Sequence, residues 1–204
     1  MVRKVVVEAP AKINLHLEVR DRRADGFHDI LSLFQAVSLV DTLELNIEEG
    51  SEAVRLAGSF DCQEAENTIV RAARAFKDAS GARGGLSIRA EKRIPAGAGL
   101  GGGSSDAAAV LKALNEAYGR PLAASRLGAL GAALGSDVPF FLGGACAVVS
   151  GRGEFIEPAE AREDYRLVIL FPGFPERTVE AYAVLDAARD TGTVTSIYAG
   201  VTAY

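Results

Sequence analysis

Cysteine is nearly missing: Cys62 and Cys146 are the two in 204 residues, far apart and without C-x-x-C spacing. Such a pair builds neither a disulfide framework nor a zinc site. One surface thiol and one core thiol is the simplest reading. A basic surplus is missing too. Lys and Arg total 22 against 27 Asp and Glu, a net charge of -5, so the chain lacks the electrostatic footprint of a nucleic-acid binder. Long apolar runs are also lacking. The start, MVRKVVVEAP, meets Glu8 and Pro10 before a signal-peptide core could form. A cytoplasmic protein is expected. There is no internal repeat, and no low-complexity tract beyond one glycine-rich loop. With 49% apolar and 24% charged residues, the chain is too hydrophobic for disorder and long enough for a sizeable core.

What is present alternates between strand and helix patterns. AKINLHLEVR sets Ile13, Leu15, Leu17 and Val19 on one face and Lys12, Asn14, His16 and Glu18 on the other, a half-buried strand. Asp25 and Gly26 mark a turn, after which LSLFQAVSL and the alternating DTLELNIEE read as strand. NTIVRAARAFKDASG places Ile69, Ala72, Ala73 and Phe76 on one helical stripe and stops at Gly81. GGLSIRAEKRIP is strand-like again. A helix with Val110, Leu111, Leu114 and Ala117 at helical spacing follows, ended by Gly119 and Pro121, and AASRLGALGAALG is a second, softer one. DVPFFLGGACAVVSGRGEFIEP reads as paired strands around Gly143 and Gly144, YRLVILFP as a buried strand, and TVEAYAVLDAAR as a helix with Thr178 as N-cap. A charge- and alanine-rich shift between Glu157 and Arg166 is the candidate domain boundary, and the last fifteen residues are polar and weakly patterned.

The strongest motif is IPAGAGLGGGSSDAAAVLKALNEAYG, Ile94 to Gly119. Five glycines within seven positions let backbone N–H groups turn toward an anion, and the helix behind them adds its dipole. A flexible linker would not lead straight into an amphipathic helix. Ser104, Ser105 and Asp106 offer N-cap chemistry, and a serine hydroxyl could bind phosphate or magnesium. In a Walker frame Gly97, Gly102, Gly103 and Ser104 fit, but glycine occupies the place of lysine, so the cation must come from elsewhere. Gly97, Gly99 and Gly102 also satisfy G-x-G-x-x-G. The acidic residue at dinucleotide-site distance, Glu116, falls inside the predicted helix, and that reading fails on context.

Other candidates carry weaker signals. Lys12 shares a strand face with Asn14 and His16, which suits a lined cleft, although a single lysine is more often solvated. Asp137, between Gly135 and Pro139, is either a turn aspartate or a carboxylate able to orient a hydroxyl for attack on phosphate. Phe27 and His28 follow the Asp25–Gly26 turn, where they could stack on and hydrogen-bond a base; otherwise Phe27 is a core plug.

Together, PAKINLHLEV, RRADGFHDILSLFQAVSLVDTLEL, NTIVRAA, IPAGAGLGGGSSDAAAVLKALN and LGSDVPFFLGGACAVVSGRGE resemble the GHMP small-molecule kinases, and within them the 4-diphosphocytidyl-2-C-methyl-D-erythritol kinases. The resemblance runs to about Asp186. It implies an α+β fold, with residues 1–160 a mixed α/β ATP-binding and catalytic domain and 161–204 the start of an incomplete C-terminal α+β domain. It implies ATP and Mg2+ as cofactors and phosphorylation of the cytidine diphosphate substrate at its 2-hydroxyl. Lys12 and Asp137 would be the catalytic pair, with Lys12 holding Asp137 ionised. Pro95, Ala96, Gly97, Ala98, Gly99, Leu100, Gly101, Gly102, Gly103, Ser104 and Ser105 would hold the ATP phosphates, and Asn67 the adenine. Asn14, Phe27 and His28 would hold the substrate, phenylalanine standing where the family more often has tyrosine; the metal ligands stay open. A monomer or homodimer is expected, acting on a small molecule and on neither nucleic acid nor membrane. Two other readings remain: a homoserine- or mevalonate-type kinase, and a nucleotide-binding protein without catalysis.

Overall fold

The alternation between Lys12 and Val19 belongs to a longer strand, β1 (Arg3–Arg22), which runs through Glu8 and Pro10 without a break. The computed structural model describes residues 3–58, 60, 63–161, 164–174, 178–190 and 197–200, with backbone alone for 178–179 and 197–200. After the turn at Asp25 and Gly26, where Gly26 takes φ 86°, a second long strand follows, β2 (His28–Glu48). The chain then continues through β3 (Val54–Ala57), a short 3-10 turn at Glu64–Glu66, α1 (Thr68–Ser80), β4 (Gly85–Glu91), α2 (Gly102–Ala117), α3 (Ala124–Leu134) and α4 (Val138–Gly143). It ends in β5 (Cys146–Gly151), β6 (Phe155–Pro158), α5 (Thr178–Asp190) and β7 (Ile197–Gly200).

Two compact units share this chain and are interleaved in it. The first holds Met1–Ala11, Ser38–Ile94 and Gly101–Gly143; the second holds Lys12–Val37, Pro95–Leu100 and Gly144–Tyr204.

In the first unit the strand order is β3-β4-β2-β1. β2 pairs antiparallel with β4 so that Leu43 faces Ala90, Leu45 faces Ile88 and Ile47 faces Leu86. Every second residue thereby turns one apolar side to the helices, as the two-residue period of a strand requires. Helix α1 meets that side with Ile69, Val70, Ala72, Ala73 and Phe76, all fully buried. Asn67 starts the helix, its Oδ1 accepting the Ile69 amide at 2.9 Å, and Gly81 stops it in the left-handed conformation at φ 69°. The stop at Gly81 is as the sequence predicts, and the Asn67 cap is an addition to it. Helix α2 adds Val110, Leu111 and Leu114, also buried, whereas Ala117 stands half-exposed at its end. Fully burying side chains of this size is worth about 1.5–3 kcal/mol each.

In the second unit the order is β6-β5-β2-β1-β7. β5 pairs antiparallel with β2 from Ile30 opposite Gly151 to Gln35 opposite Cys146, and β7 pairs with β1 from His16 opposite Gly200 to Val19 opposite Ile197. Phe34, Ala147, Val149, Val19 and Leu185 of α5 are buried here. Cys146 is buried, as expected of a core thiol; Cys62 and the Thr178 side chain lie outside the described residues.

Three local expectations are corrected. Val138 to Gly143 is helix rather than strand, since Pro139 in a first turn gives up an amide that would be unbonded anyway; the β5–β6 turn accordingly falls at Arg152–Glu154. YRLVILFP forms no strand: Val168 is 94% and Leu170 91% exposed. An apolar run becomes a buried strand only beside a partner, and no strand pairs with it among the described residues. Finally, α2 starts at Gly102 with Gly101 as N-cap and no side-chain cap, so Ser104, Ser105 and Asp106 lie inside the helix. No helix of the described residues is long and apolar enough to cross a membrane.

Candidate active site

The glycine loop is built from backbone conformations that other residues resist. Gly97, Gly99 and Gly101 alternate at φ 67°, 71° and 70°, each in the left-handed region that costs an L residue about 1–2 kcal/mol. They deliver the chain into α2, where Gly102 and Gly103 occupy close quarters. A Cβ on Gly102 would stand 3.0 Å from Ile94 Cγ2, and one on Gly103 would stand 3.3 Å from Thr68 Oγ1. Thr68 Oγ1 donates to the Gly103 carbonyl at 2.9 Å, tying the start of α1, and Asn67 with it, to the start of α2. A lysine at the Walker position would have to stand on that threonine. Asn67 is buried, and its side-chain oxygen is already engaged by the Ile69 amide.

Anion-binding chemistry at this helix start has independent support. No side chain caps Gly101, which leaves the first-turn amides of a sixteen-residue helix for another partner. Ser105 Oγ is buried and has no hydrogen-bond partner. Buried hydroxyls are normally paired, so an orphan one beside uncapped amides suits a phosphate-bearing ligand. Ser104 is half-buried in the same turn.

A buried charge cluster that the sequence reading missed lies at the base of the loop. Lys92 Nζ bonds both Asp41 Oδ2 and Asp106 Oδ2. Asp41, fully buried in β2, also accepts the amides of Arg93 at 2.5 Å and Ile94 at 2.9 Å through Oδ1. Asp106 is 2% exposed, and its Oδ1 has no partner. Burial pushes its carboxyl from the ordinary 3.8 up to about 6, against the opposing pull of Lys92 and with the Asp41 charge adding to the rise. The signals in the sequence were slight: one aspartate inside an apolar alternation, and a basic pair just before the loop.

In the second unit, Lys12 is 7% exposed rather than solvated. Its Nζ donates to Asn14 Oδ1 at 2.7 Å and lies 4.4 Å from the centroid of the Phe34 ring. Asn14 Nδ2 continues to Ser32 Oγ at 2.9 Å, and that hydroxyl donates to the His16 carbonyl at 2.5 Å. The Lys12 amide donates to Leu100 O at 2.9 Å, so β1 holds the Pro95–Leu100 half of the loop directly. The predicted grouping of Lys12 with Asn14 is present, with Ser32 as an added member.

Phe27 and His28 part company. The Phe27 ring is 53% exposed, with the Arg152 guanidinium 4.9 Å from its centroid. The His28 ring turns inward: it is 7% exposed, stacks on Tyr182 with centroids 4.9 Å apart, and its Nε2 lies 2.7 Å from Asp186 Oδ1. Helix α5 thus supplies two residues to this corner, Tyr182 and Asp186, that the sequence reading did not single out. Asp137 is half-buried and ends the turn between α3 and α4. It belongs to the first unit with Asn67 and Gly101–Ser105, while Lys12, Asn14, Phe27 and His28 belong to the second. Among the described residues, no group of three His, Cys, Asp or Glu is placed to hold a metal ion.

Residues 67–145 match the GHMP kinases N terminal domain. The 4-diphosphocytidyl-2-C-methyl-D-erythritol kinase of Solibacter usitatus is 44% identical over 191 residues, covering 93% of this chain and 60% of the relative. That of Thermotoga maritima is 44% identical over 175 residues, covering 86% and 63%, and that of Heliobacterium modesticaldum is 41% identical over 181, covering 88% and 58%. A crystal structure of 4-(cytidine 5'-diphospho)-2C-methyl-D-erythritol kinase superposes with a TM-score of 0.73 at 42% identity, over 88% of this chain and 63% of that one. A mevalonate kinase from Methanococcus jannaschii, 16% identical with a TM-score of 0.57, shares the fold alone. The chain spans about 60% of the length of these curated relatives.

Proposed function

We propose, from the match of residues 67–145 to the GHMP kinases N terminal domain and the superposition on a solved kinase, that this chain is an ATP-dependent kinase of the cytoplasm. Its substrate is 4-diphosphocytidyl-2-C-methyl-D-erythritol, phosphorylated at the 2-hydroxyl on the route to isoprenoid precursors. The observation that carries the reading is the 40–44% identity, over most of the chain, to kinases of that name. Residues 1–160 form the ATP-binding and catalytic part, which contains the matched segment 67–145, and 161–204 open the second domain.

ATP with Mg2+ supplies the phosphoryl group and neutralises part of its charge; the chain does the rest by placement. The loop from Pro95 to Ser105 binds the phosphates, through the backbone N–H groups that follow Pro95 and the uncapped ones at the start of α2, with the Ser104 and Ser105 hydroxyls beside them. The uncapped start of α2 and the orphan Ser105 Oγ support this. Asn67 lies against the adenine. Asp137 orients the substrate hydroxyl and takes its proton. Lys12 supplies the cation that the loop lacks and stabilises the charge moving onto the transferred group; its burial and its bond to Asn14 hold the ammonium in one place. Asn14 positions the substrate, and Phe27 and His28 receive the cytosine, Phe27 by its open face and His28 fixed in orientation by Asp186.

The experiment is an ADP-release assay with ATP, Mg2+ and the cytidine diphosphate substrate for wild type, Lys12→Ala and Asp137→Ala. Turnover by wild type and loss in both variants is expected. Wild-type turnover no higher than Asp137→Ala would sink the proposal, and turnover with homoserine or mevalonate instead would replace it.

A further inference from the structure

The glycine loop has ends as well as a surface, and the ends are tied to each other by charge. Lys92, Arg93 and Ile94 lead into it, and Asp106 lies on the helix that leaves it. Lys92 Nζ joins Asp106 Oδ2 to Asp41 Oδ2, while Asp41 Oδ1 takes the amides of Arg93 and Ile94. One carboxylate, placed on β2, thus holds three consecutive residues at the entrance, and the lysine among them holds the exit. A Cβ on Gly102 would be 3.6 Å from Asp41 Oδ2, so the start of α2 packs directly on the same carboxylate.

We propose that Asp41, Lys92 and Asp106 are a clasp that fixes both ends of the 95–105 loop, and that they are positioning residues for the phosphates of the nucleotide. The phosphate part rests on the kinase reading above; the clasp itself does not. Stability alone does not account for the arrangement. Two carboxylates and one ammonium, with both carboxylates nearly inaccessible, pay a desolvation cost that well-packed apolar residues would avoid. What the charges add is direction: Asp41 accepts two adjacent amides and one ammonium in a single geometry, and fixes the backbone where the left-handed glycines begin. A loop whose amides must converge on phosphate gains from having its ends preset.

Two measurements on the full chain test this. Hydrogen exchange without nucleotide compares wild type, Lys92→Met, Asp106→Asn and Lys92→Arg. The clasp predicts amide exchange in 95–105 faster by about tenfold or more in the first two variants, little change in helix α1, and recovery in Lys92→Arg. Calorimetric titration with MgATP and, separately, with the cytidine diphosphate substrate then reads consequence. MgATP should weaken by about tenfold in Lys92→Met and Asp106→Asn, with the other ligand within about twofold. Unchanged exchange in the loop, or a rise spread equally over α1, overturns the clasp; equal loss of both ligands overturns its role toward phosphates. If wild type binds no MgATP and turns nothing over, but loop exchange responds as stated, the kinase reading fails, the phosphate role falls with it and the clasp stands. Should Asp106→Asn not fold, Lys92→Met carries the test, because that side chain is 27% exposed and sits at a strand end.

Discussion

Removing the Asp106 carboxylate should change how stability responds to acid, and in a direction opposite to the usual one for an ion-paired aspartate. Asp106 is 2% exposed and titrates near 6 rather than 3.8, because burial outweighs its contact with Lys92 and the Asp41 charge adds to the rise. Between those values the folded chain holds a proton that the unfolded chain has released. The contribution is therefore greatest below about pH 4 and fades as pH rises through about 6. At about 1.4 kcal/mol per tenfold in proton affinity it reaches on the order of 3 kcal/mol in strong acid, and about 2 kcal/mol at about pH 4.5. Urea unfolding of wild type and Asp106→Asn at about pH 7.5 and about pH 4.5 isolates it, since every other carboxylate titrates in both proteins. Wild type should gain about 2 kcal/mol over the variant on acidification, or about 4–8 °C in Tm for a chain of this size. Equal responses would refute the reasoning. So would a larger loss by wild type, which would mean that the Lys92 pair dominates and the carboxyl lies below its ordinary range.

Phe76→Ala empties the fully buried centre of α1 and should cost about 3–5 kcal/mol in denaturant unfolding. Gly102→Ala brings a Cβ to 3.0 Å from the stiff Ile94 side chain; a loss of about 1–3 kcal/mol, with weaker MgATP binding by calorimetry, is expected. Gly99→Ala meets no atom within 4 Å but keeps φ at 71°, so its cost should be only about 1–2 kcal/mol of strain. Asp186→Ala frees the His28 ring from a 2.7 Å contact, and the KM for the cytidine diphosphate substrate should rise about tenfold while that for ATP stays put. Lys12→Ala should lower kcat by two orders of magnitude or more, in the range of about 2.7–4 kcal/mol for losing one charge-stabilising group, with little effect on MgATP affinity.

Features written in consecutive residues were legible, and features assembled across distance were not. Helix α1 could be read as a helix, and to its end, because its stripe and its Gly81 stop lie close together in the chain. The loop was legible for the same reason. The clasp was not: Asp41 and Lys92 are 51 residues apart, Lys92 and Asp106 are 14 apart, and no local pattern couples them. Ser105 and Asp106 were read as caps because the residue types suit caps; the left-handed Gly101 starts the helix earlier and turns them inward. VPFFLG and YRLVILFP failed for a different reason. Apolar runs of that length do not state their partner, and the partner decides between helix, strand and exposed chain.

The interleaving of the two units bears on how this protein can be cut. The chain changes unit after Ala11, Val37, Ile94, Leu100 and Gly143, so no single cleavage separates one unit from the other, and a contiguous fragment of either is incomplete. Residues 67–145, the segment that carries the family signature, contain α1 and β4 but not β2, whose Leu43 and Leu45 stand opposite Ala90 and Ile88. An excised signature segment would leave that edge of β4 unpaired. The recognisable part of the sequence and the smallest foldable part are different stretches, and a truncation series has to keep both long strands, residues 3–48, to retain either unit.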